Sequence, residues 1–168
     1  MPAPDLSKPS HNEVLKEAIP TLAGNLAATM ADPEADRFSA DDTQFLKFHG
    51  AYQQDDRDLR KTGKKYIMMI RSRIPGGVMT SQQWITFDDL ATQYGNDTLR
   101  VTTRQCIQFH GVVLSGLGPL VKKVNESLLS TLAACGDINR NVTASPTPAH
   151  TLARETVYED AHRVAMAM

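Results

Sequence analysis

The chain has 168 residues with a formal net charge of −1, and 41% of its residues are hydrophobic and 22% charged. This composition is that of an ordinary globular protein and excludes collagen-like, coiled-coil and disordered classes. The sequence has no run of about 20 apolar residues that could span a membrane, and its first residues lack the basic and apolar regions of an export signal. We therefore expect a cytoplasmic protein.

The chain has two cysteines, Cys106 and Cys135. Two thiols are too few for a disulfide framework and cannot supply the four thiolates of an iron–sulfur cluster. No Cys/His spacing predicts a metal site. We expect both cysteines to be small packed side chains.

Charge is distributed unevenly along the sequence. Residues 1–43 hold eight acidic and three basic side chains, whereas residues 44–77 hold eight basic and three acidic ones. The middle of the chain is therefore a candidate anion site. Thr62 and Gly63 interrupt the basic run 60–65, which favours a solvated loop there.

The amino-terminal region is predicted to be a helical arm and a linker. A helical spacing of apolar residues begins at Asn12, and Pro20 and Gly24 interrupt it, which predicts two short helices. The acidic stretch 32–42, which contains Pro33, reads as a linker. The polar segment 53–58 reads as a structural turn.

A strand is predicted over residues 65–74, because turn signals flank a run rich in apolar and β-prone residues. Alternation with period 2 places Arg71 and Arg73 on the same face of this strand.

A helix is predicted over residues 81–94, with a capping box of Thr80 and Gln83 and a left-handed cap at Gly95. Two strands follow over 98–103 and 107–114, the second with looser alternation. A second helix is predicted over 119–135, with Pro119 in its first turn, and a short helical segment begins near 151 after a loop. The order strand, helix, strand, strand, helix predicts an α+β, half-open ferredoxin-like unit with its helices on one face of the sheet.

The other face of this sheet is expected to be polar. Alternation puts Arg100, Thr102 and Arg104 on one side of their strand, and Leu99 and Val101 on the other side, beneath the two helices. Gln108 and His110 share a side of the next strand, and we expect Arg100, Arg104 and Gln108 to lie on one surface with Arg71. Polar and cationic side chains on the face that no helix covers indicate an anionic partner. Guanidinium groups suit a partner with several carboxylates. The alternative is an exposed face of solvated arginines.

Two other ligand classes fit less well. Single-strand nucleic-acid readers of this shape stack bases on aromatic side chains, and the open face has none in the matching places. A dinucleotide loop at residues 115–119 lacks its third glycine and contains Pro119, which favours an ordinary helix entry.

Four segments resemble, in the same order, the amino-terminal part of the assimilatory sulfite reductase haemoprotein, of the nitrite/sulfite reductase family. They are KFHGAYQQDDRD at 47–58, MIRSRIPGGV at 69–78, LRVTTRQCIQFHG at 99–111 and CGDINRNV at 135–142. The resemblance covers about residues 44–165. It implies a ferredoxin-like half-domain over 44–136 and the start of a sirohaem domain over 137–168, and the residue pattern predicts the helical arm and acidic linker over 1–43.

The resemblance implies an oxidoreductase that reduces sulfite to sulfide with six electrons in sulfur assimilation. Its cofactors would be sirohaem and a [4Fe-4S] cluster, with cluster ligands outside this chain, so we expect the 168 residues alone to be inactive. The electron donor would be a flavoprotein subunit or a ferredoxin. Two alternatives stay open, a nitrite reductase of the same fold and a catalytically inert anion-binding module.

The resemblance also implies the site residues. Arg71 and Arg140 would contact the substrate. His110 would be a hydrogen-bonding histidine beside the cofactor, since the family's axial iron ligand is a thiolate. The implied cofactor-binding set is Arg71, Arg100, Thr102, Thr103, Arg104, Gln105, Gln108, His110, Arg140 and Asn141.

Overall fold

The computed structural model describes residues 8–134, 140–146 and 152–167. None of the helices in these ranges is long and apolar enough to cross a membrane. The elements are α1 His11–Ala18, α2 Leu26–Ala31, α3 Asp42–Phe48, β1 Ala51–Asp55, β2 Tyr66–Arg71, α4 Ser81–Tyr94, β3 Leu99–Val101, β4 Ile107–Val112, α5 Leu114–Glu126 and α6 Leu152–Ala167, with a 3₁₀ turn at Pro75–Gly77 after β2.

The four strands form one antiparallel sheet in the order β1-β2-β4-β3. The predicted order of strand, helix, strand, strand, helix is confirmed by β2, α4, β3, β4 and α5. β1 precedes this unit in the chain and pairs with the outer side of β2. The half-open ferredoxin-like unit thus gains an edge strand from its amino-terminal side.

β1 was not predicted, because residues 53–58 were read as a turn. Its Gln53 side chain explains why a polar strand is stable there. The Gln53 amide accepts from the backbone N–H of Phe38 at 2.7 Å and donates to the Phe38 carbonyl at 3.2 Å. The strand therefore depends on a partner 15 residues away, which no local pattern reveals.

The core lies between one face of the sheet and helices α4 and α5. Phe87 of α4 and Phe109 of β4 are both fully buried, with ring centroids 5.1 Å apart, and Leu120 of α5 is buried with them. The predicted bounds of α4 and its capping box are confirmed, since Thr80 accepts from the Gln83 N–H and Gln83 accepts from the Thr80 N–H.

The amino-terminal region packs on this same core. The two short helices predicted there are confirmed as α1 and α2. The acidic stretch 32–42 is more than a linker, since Phe38 is buried in the core. The buried carboxylate of Asp42 accepts from the Asn25 N–H at 2.8 Å and from the Ser39 hydroxyl at 2.7 Å, which ties α3 to the residue before α2.

Helix α5 differs from the prediction at both ends. It begins at Leu114 and ends at Glu126, and Pro119 lies inside it. Leu114, Leu117 and Leu120 are buried, so a continuous apolar stripe offsets the backbone hydrogen bond that the proline lacks. The glycine-rich segment 115–119 is helical, consistent with an ordinary helix entry. Cys135, where the predicted helix ends, lies outside the described residues.

Gly95 does not adopt the left-handed cap conformation that was predicted. Its φ is −103°, and the positive φ at the end of α4 belongs to Asp97. Space explains the glycine instead, since a Cβ there would lie 2.9 Å from the Ala91 carbonyl oxygen and 3.1 Å from that of His110.

A β-bulge in β4 explains the looser alternation of its sequence. Val112 pairs with Met68 and Phe109 with Ile70, so β4 has one more residue than β2 between these pairs. Gly111 takes up the extra length with a φ of +75°. The bulge lies beside His110.

Segment 140–146 is clamped to the turn between β3 and β4. The buried Asn141 amide accepts from the Ile74 N–H at 3.0 Å and donates to the carbonyls of Arg104 at 3.0 Å and Gln105 at 3.3 Å. The Gln105 amide makes two hydrogen bonds with the backbone of Ala144, at 2.6 and 3.0 Å. These two side chains hold three separate segments together.

Gly50→Ala is expected to destabilise the chain strongly. Gly50 has a φ of +78°, and a Cβ there would lie 2.1 Å from the Thr131 carbonyl oxygen. Urea unfolding should show a loss of about 3 kcal/mol or more, because the clash adds to the backbone strain. Gly63→Ala is the control, since Gly63 also has a positive φ but has nothing within 4 Å. Equal losses in the two variants would contradict the proposed clash.

Asn141→Ala should lower the free energy of unfolding by about 1–3 kcal/mol, because the buried Ile74 N–H loses its acceptor. Asn125→Ala is the control, since that exposed asparagine makes one bond to the Val121 carbonyl within its own helix. Its effect should stay within about 0.5 kcal/mol in the same urea experiment. An Asn141→Ala chain as stable as the wild type would rule out the clamp.

Candidate functional site

Three polar side chains form a row across the open face of the sheet. Arg71 of β2 and Arg100 of β3 are both direct cross-strand partners of Gln108 in β4. Direct partners point to the same face of an antiparallel sheet. The predicted register of these three residues is therefore confirmed.

The neighbouring row points into the core. Ile70, Phe109 and Leu99 are cross-strand partners, and the first two are fully buried. Leu99 is partly buried and packs against the core, as predicted. Val101 was expected to lie beneath the helices, and this was wrong, since it is 67% exposed at the end of the short strand β3.

Gln108 is the buried centre of the row, with 6% of its surface exposed. Its amide oxygen faces Arg71 and accepts from Nε at 3.0 Å and from Nη2 at 2.6 Å. The other end of the amide lies 3.3 Å from Nε2 of His110. Arg71, Gln108 and His110 are thus linked, with Arg71 half-buried at one end.

The environment of His110 favours its neutral form. Burial lowers the pKa of its imidazole below the ordinary value, and the positive charge of Arg100 lowers this pKa further. No carboxylate pairs with it in the part of the chain that the structure describes. It is therefore placed as an uncharged hydrogen-bonding group beside two arginines.

The turn after β3 carries four of the predicted residues. The Thr102 hydroxyl accepts from the Cys106 N–H at 3.2 Å, which closes the turn. Thr103 and Arg104 are exposed, and Gln105 has a φ of +56°. Arg104 lies in the turn and not in the strand row, so its predicted alignment with Arg71 is not a consequence of strand register.

Cys106 is buried beneath this turn, as expected for a packed thiol. Burial raises the pKa of its thiol, and the charges of Arg71 and Arg104 only partly oppose this effect. The thiol stays protonated, which disfavours a role as a nucleophile or metal ligand. Among the described residues, no cluster of His, Cys, Asp and Glu could hold a metal ion.

Arg140 and Asn141 lie beside the turn, on the clamped segment. The side-chain amides of Asn141 and Gln105 both form hydrogen bonds with backbone groups of the protein. The predicted direct contact of these two side chains with a cofactor would have to displace those bonds. Arg140 is half-buried and precedes Asn141, so the clamp fixes its backbone.

Arg73 does not join the row, although alternation placed it with Arg71. It is 8% exposed, its backbone N–H pairs with Ser130 beyond the end of β2, and its guanidinium donates to the carbonyl of Ala165 in α6. A cation near the carboxyl end of a helix is favourable. Arg73 therefore anchors α6.

Sequence reasoning missed Ser72. This side chain is fully buried, and its hydroxyl donates to the Ile107 carbonyl at 3.0 Å and accepts from the Ile107 N–H at 3.3 Å. It thereby fixes β4 against the chain directly after Arg71. The only sequence signal was a small polar residue between two arginines.

The arginines of this surface lack carboxylate partners. Within the described residues, Arg71, Arg100, Arg104 and Arg140 form no ion pair, whereas Arg60 pairs with Asp55 and Arg163 with Asp160. A cavity of about 420 Å³ borders the same turn, but none of these four arginines lines it. The row and the neighbouring turn are therefore cationic, as an anion-binding surface is.

Comparison with known proteins agrees with this description. Residues 60–127, which contain β2 to α5, match the family model for the nitrite/sulfite reductase ferredoxin-like half domain. The sulfite reductase (NADPH) hemoprotein beta-component of Myxococcus xanthus is 45% identical over 161 residues, which cover 92% of this chain and 29% of that protein. The protein of the same name from Staphylococcus haemolyticus is 49% identical over 142 residues, covering 81% and 25%.

The structure of the Mycobacterium tuberculosis NirA protein has the same fold, with a TM-score of 0.74 over 95% of this chain and 32% of that one, at 22% identity. The chain thus spans about a quarter to a third of the length of the proteins it matches. Residues 60–127 match the ferredoxin-like half domain of nitrite and sulfite reductases, and over most of its length the chain is similar to part of the sulfite reductase hemoprotein.

Proposed function

We propose that this chain is the amino-terminal part of a sulfite reductase hemoprotein, which reduces sulfite to sulfide with six electrons. The observation that carries the proposal is the row of Arg71, Gln108 and Arg100 on the open face of the sheet, where neither arginine pairs with a carboxylate of the described residues. The 42–49% identity to proteins named sulfite reductase hemoprotein beta-component supports it.

The described residues fit sirohaem, whose rim carries several carboxylates. Arg100 and Arg104 are exposed and free of ion pairs in the described part of the chain, so their guanidinium groups can pair with carboxylates in a bidentate manner. Thr102, Thr103 and His110 would flank them. When bound, sirohaem would supply the iron at which the substrate is reduced.

A [4Fe-4S] cluster does not fit these residues. It needs four thiolates, and the sequence has two cysteines, of which Cys106 is buried with a raised pKa. Cluster ligands would have to come from other residues than these 168, and the electron donor, a flavoprotein subunit or a ferredoxin, would be a separate protein.

Arg71 and Arg140 would bind the substrate oxyanion. Arginine stays protonated at every physiological pH, so both would act as binders and hydrogen-bond donors and not as proton relays. Donors held in place before the reaction stabilise charge that develops on leaving oxygens. Arg71 meets this condition, because Gln108 fixes its Nε and Nη2.

A nitrite reductase is the second candidate, since the matching family model covers both activities. The two are separated by the product. The complete polypeptide that contains this sequence, supplied with reduced viologen, should form sulfide from sulfite faster than ammonia from nitrite at equal substrate concentration. Ammonia as the dominant product would favour the second candidate.

Arg71→Ala in that polypeptide should reduce sulfite turnover about 10²–10³-fold while sirohaem content stays near that of the wild type, because one charge-assisted contact to the oxyanion is lost. Arg100→Ala should have the opposite pattern, with sirohaem content reduced more than turnover per bound sirohaem. Absorption spectra and sulfide formation measure the two effects.

Arg57→Ala serves as the control for both variants, since it removes an arginine from the exposed loop between β1 and β2 and not from the row. Its sirohaem content and turnover should match the wild type. Full turnover by an Arg71→Ala enzyme with reduced sirohaem content would exchange the proposed roles of Arg71 and Arg100.

The 168-residue chain alone should not reduce sulfite, because two cysteines cannot hold the cluster. After reconstitution with iron, sulfide and sirohaem, it should show no cluster absorption and no sulfite-dependent oxidation of reduced viologen. Turnover above the protein-free blank would disprove this expectation.

A further inference from the structure

Three side chains on the open face form a hydrogen-bond chain that contains a titratable group. Arg71 donates to Gln108, and the far end of the Gln108 amide lies 3.3 Å from Nε2 of His110. Gln108 is buried, so water does not substitute freely for either contact. The protonation state of His110 can therefore affect how Arg71 is held.

Elementary donor and acceptor chemistry fixes the direction of each bond. A guanidinium has only donors, so the Gln108 atom that faces Arg71 must be the amide oxygen. The amide nitrogen then faces His110 and needs an acceptor. Nε2 of His110 can accept only when it carries no proton, which places the proton of the neutral ring on Nδ1.

We propose that His110 and Gln108 are positioning residues for Arg71, in which His110 sets the orientation of the Gln108 amide and this amide holds the guanidinium. Protonation of Nε2 turns the acceptor into a donor. Gln108 then has donors on both sides and a single oxygen for them, so Arg71 loses its fixed partner in acid. We call this arrangement of His110, Gln108 and Arg71 the relay. It involves only residues of this protein, and only its effect on oxyanion binding rests on the proposed function.

The surroundings of His110 favour its neutral form, in which Nε2 can accept a hydrogen bond from the Gln108 amide. Burial and the positive charge of Arg100 of β3 both disfavour a second proton on this ring, and Arg71 of β2 lies on the same side of the sheet. From the loop after α4, the backbone N–H of Asn96 donates to the His110 carbonyl at 2.9 Å. The carboxylate of Asp97 in the same loop accepts from the Thr92 hydroxyl at 2.6 Å and, within the described residues, forms no ion pair with His110. The lowered pKa of His110 agrees with this arrangement.

The relay also gives Gln108 a different role from the one the sequence implied. Both ends of its amide are engaged inside the protein, so a cofactor carboxylate would have to break one of these bonds to reach it. Gln108 acts through Arg71. Among the described residues no group pairs with Nδ1 of His110, so its N–H is the donor left for a ligand.

Nuclear magnetic resonance of the 168-residue chain tests the relay directly. At pH 8 the ¹⁵N shifts of His110 should show the proton on Nδ1. As the pH falls, solvent exchange of the Arg71 Nε–H should accelerate at least tenfold, with the same midpoint as the protonation of His110. A proton on Nε2 at pH 8, or an Arg71 exchange rate that does not change at the His110 midpoint, would overturn the proposal.

Two substitutions of Gln108 should act in different ways. Gln108→Glu offers oxygens to both neighbours, so His110 should be protonated at neutral pH while the Arg71 Nε–H stays slow to exchange throughout the titration. Gln108→Leu removes the acceptor and should give fast exchange at every pH. Where the leucine variant does not fold, the glutamate variant decides, and fast Arg71 exchange in it contradicts the relay.

His162→Asn is the matched control, since it removes a histidine from the exposed surface of α6. It should leave the Arg71 exchange and its midpoint unchanged, whereas His110→Asn should abolish the midpoint. These measurements need neither cofactor nor turnover, so failure of the relay leaves the proposed reaction intact, and an enzyme that reduces a different anion leaves the relay intact.

Discussion

The pairing of β2 with β4 is the constraint on which both the core and the candidate site depend. Ile70 faces Phe109 in one row, and Arg71 faces Gln108 in the next. Because side chains alternate along a strand, a shift of one residue would exchange these rows. It would bury the Arg71 guanidinium without a counterion, at a cost of several kcal/mol. The same packing that buries Phe109 against Phe87 therefore keeps the arginines on the open face.

The bulge in β4 preserves this arrangement on both sides of His110. Without the extra residue, Val112 would leave the core face on which Met68 lies. The bulge returns Val112 to the core and leaves His110 next to Gln108 on the other face. Gly111 is required by its positive φ and because a Cβ there would lie 2.9 Å from the Cβ of Asn96. The bulge that keeps Val112 in the core thus also sets the position of His110.

The sequence predicts those parts of the fold that local pattern determines. The capping box of α4, the alternation of β2 and the shared face of Arg71, Gln108 and Arg100 follow from spacing alone. The rest depends on distant partners. β1 is held by the backbone of Phe38, and α5 continues through Pro119 because its apolar face is buried.

The same dependence on distant partners limits what the sequence predicts about the candidate site. Arg71 and Arg73 are equivalent by alternation, and only the position of Ala165 in α6 separates their roles. Asn141 and Gln105 have the composition of ligand-binding residues, yet their partners are backbone groups that no sequence pattern reveals. Motif resemblance therefore predicts the region of the site and cannot separate side chains that would touch a ligand from those that hold the region together.

The choice of hydrogen-bond acceptor distinguishes the arginines of this protein. Arg60 and Arg163 are paired with carboxylates, which orient a guanidinium and also cancel its charge. Arg71 is oriented by an uncharged amide, which leaves the full positive charge for an incoming anion. A glutamate in place of Gln108 would hold the same geometry and compete with the anion for the same charge. A buried glutamine therefore orients Arg71 without neutralising it, which is what the proposed anion site requires.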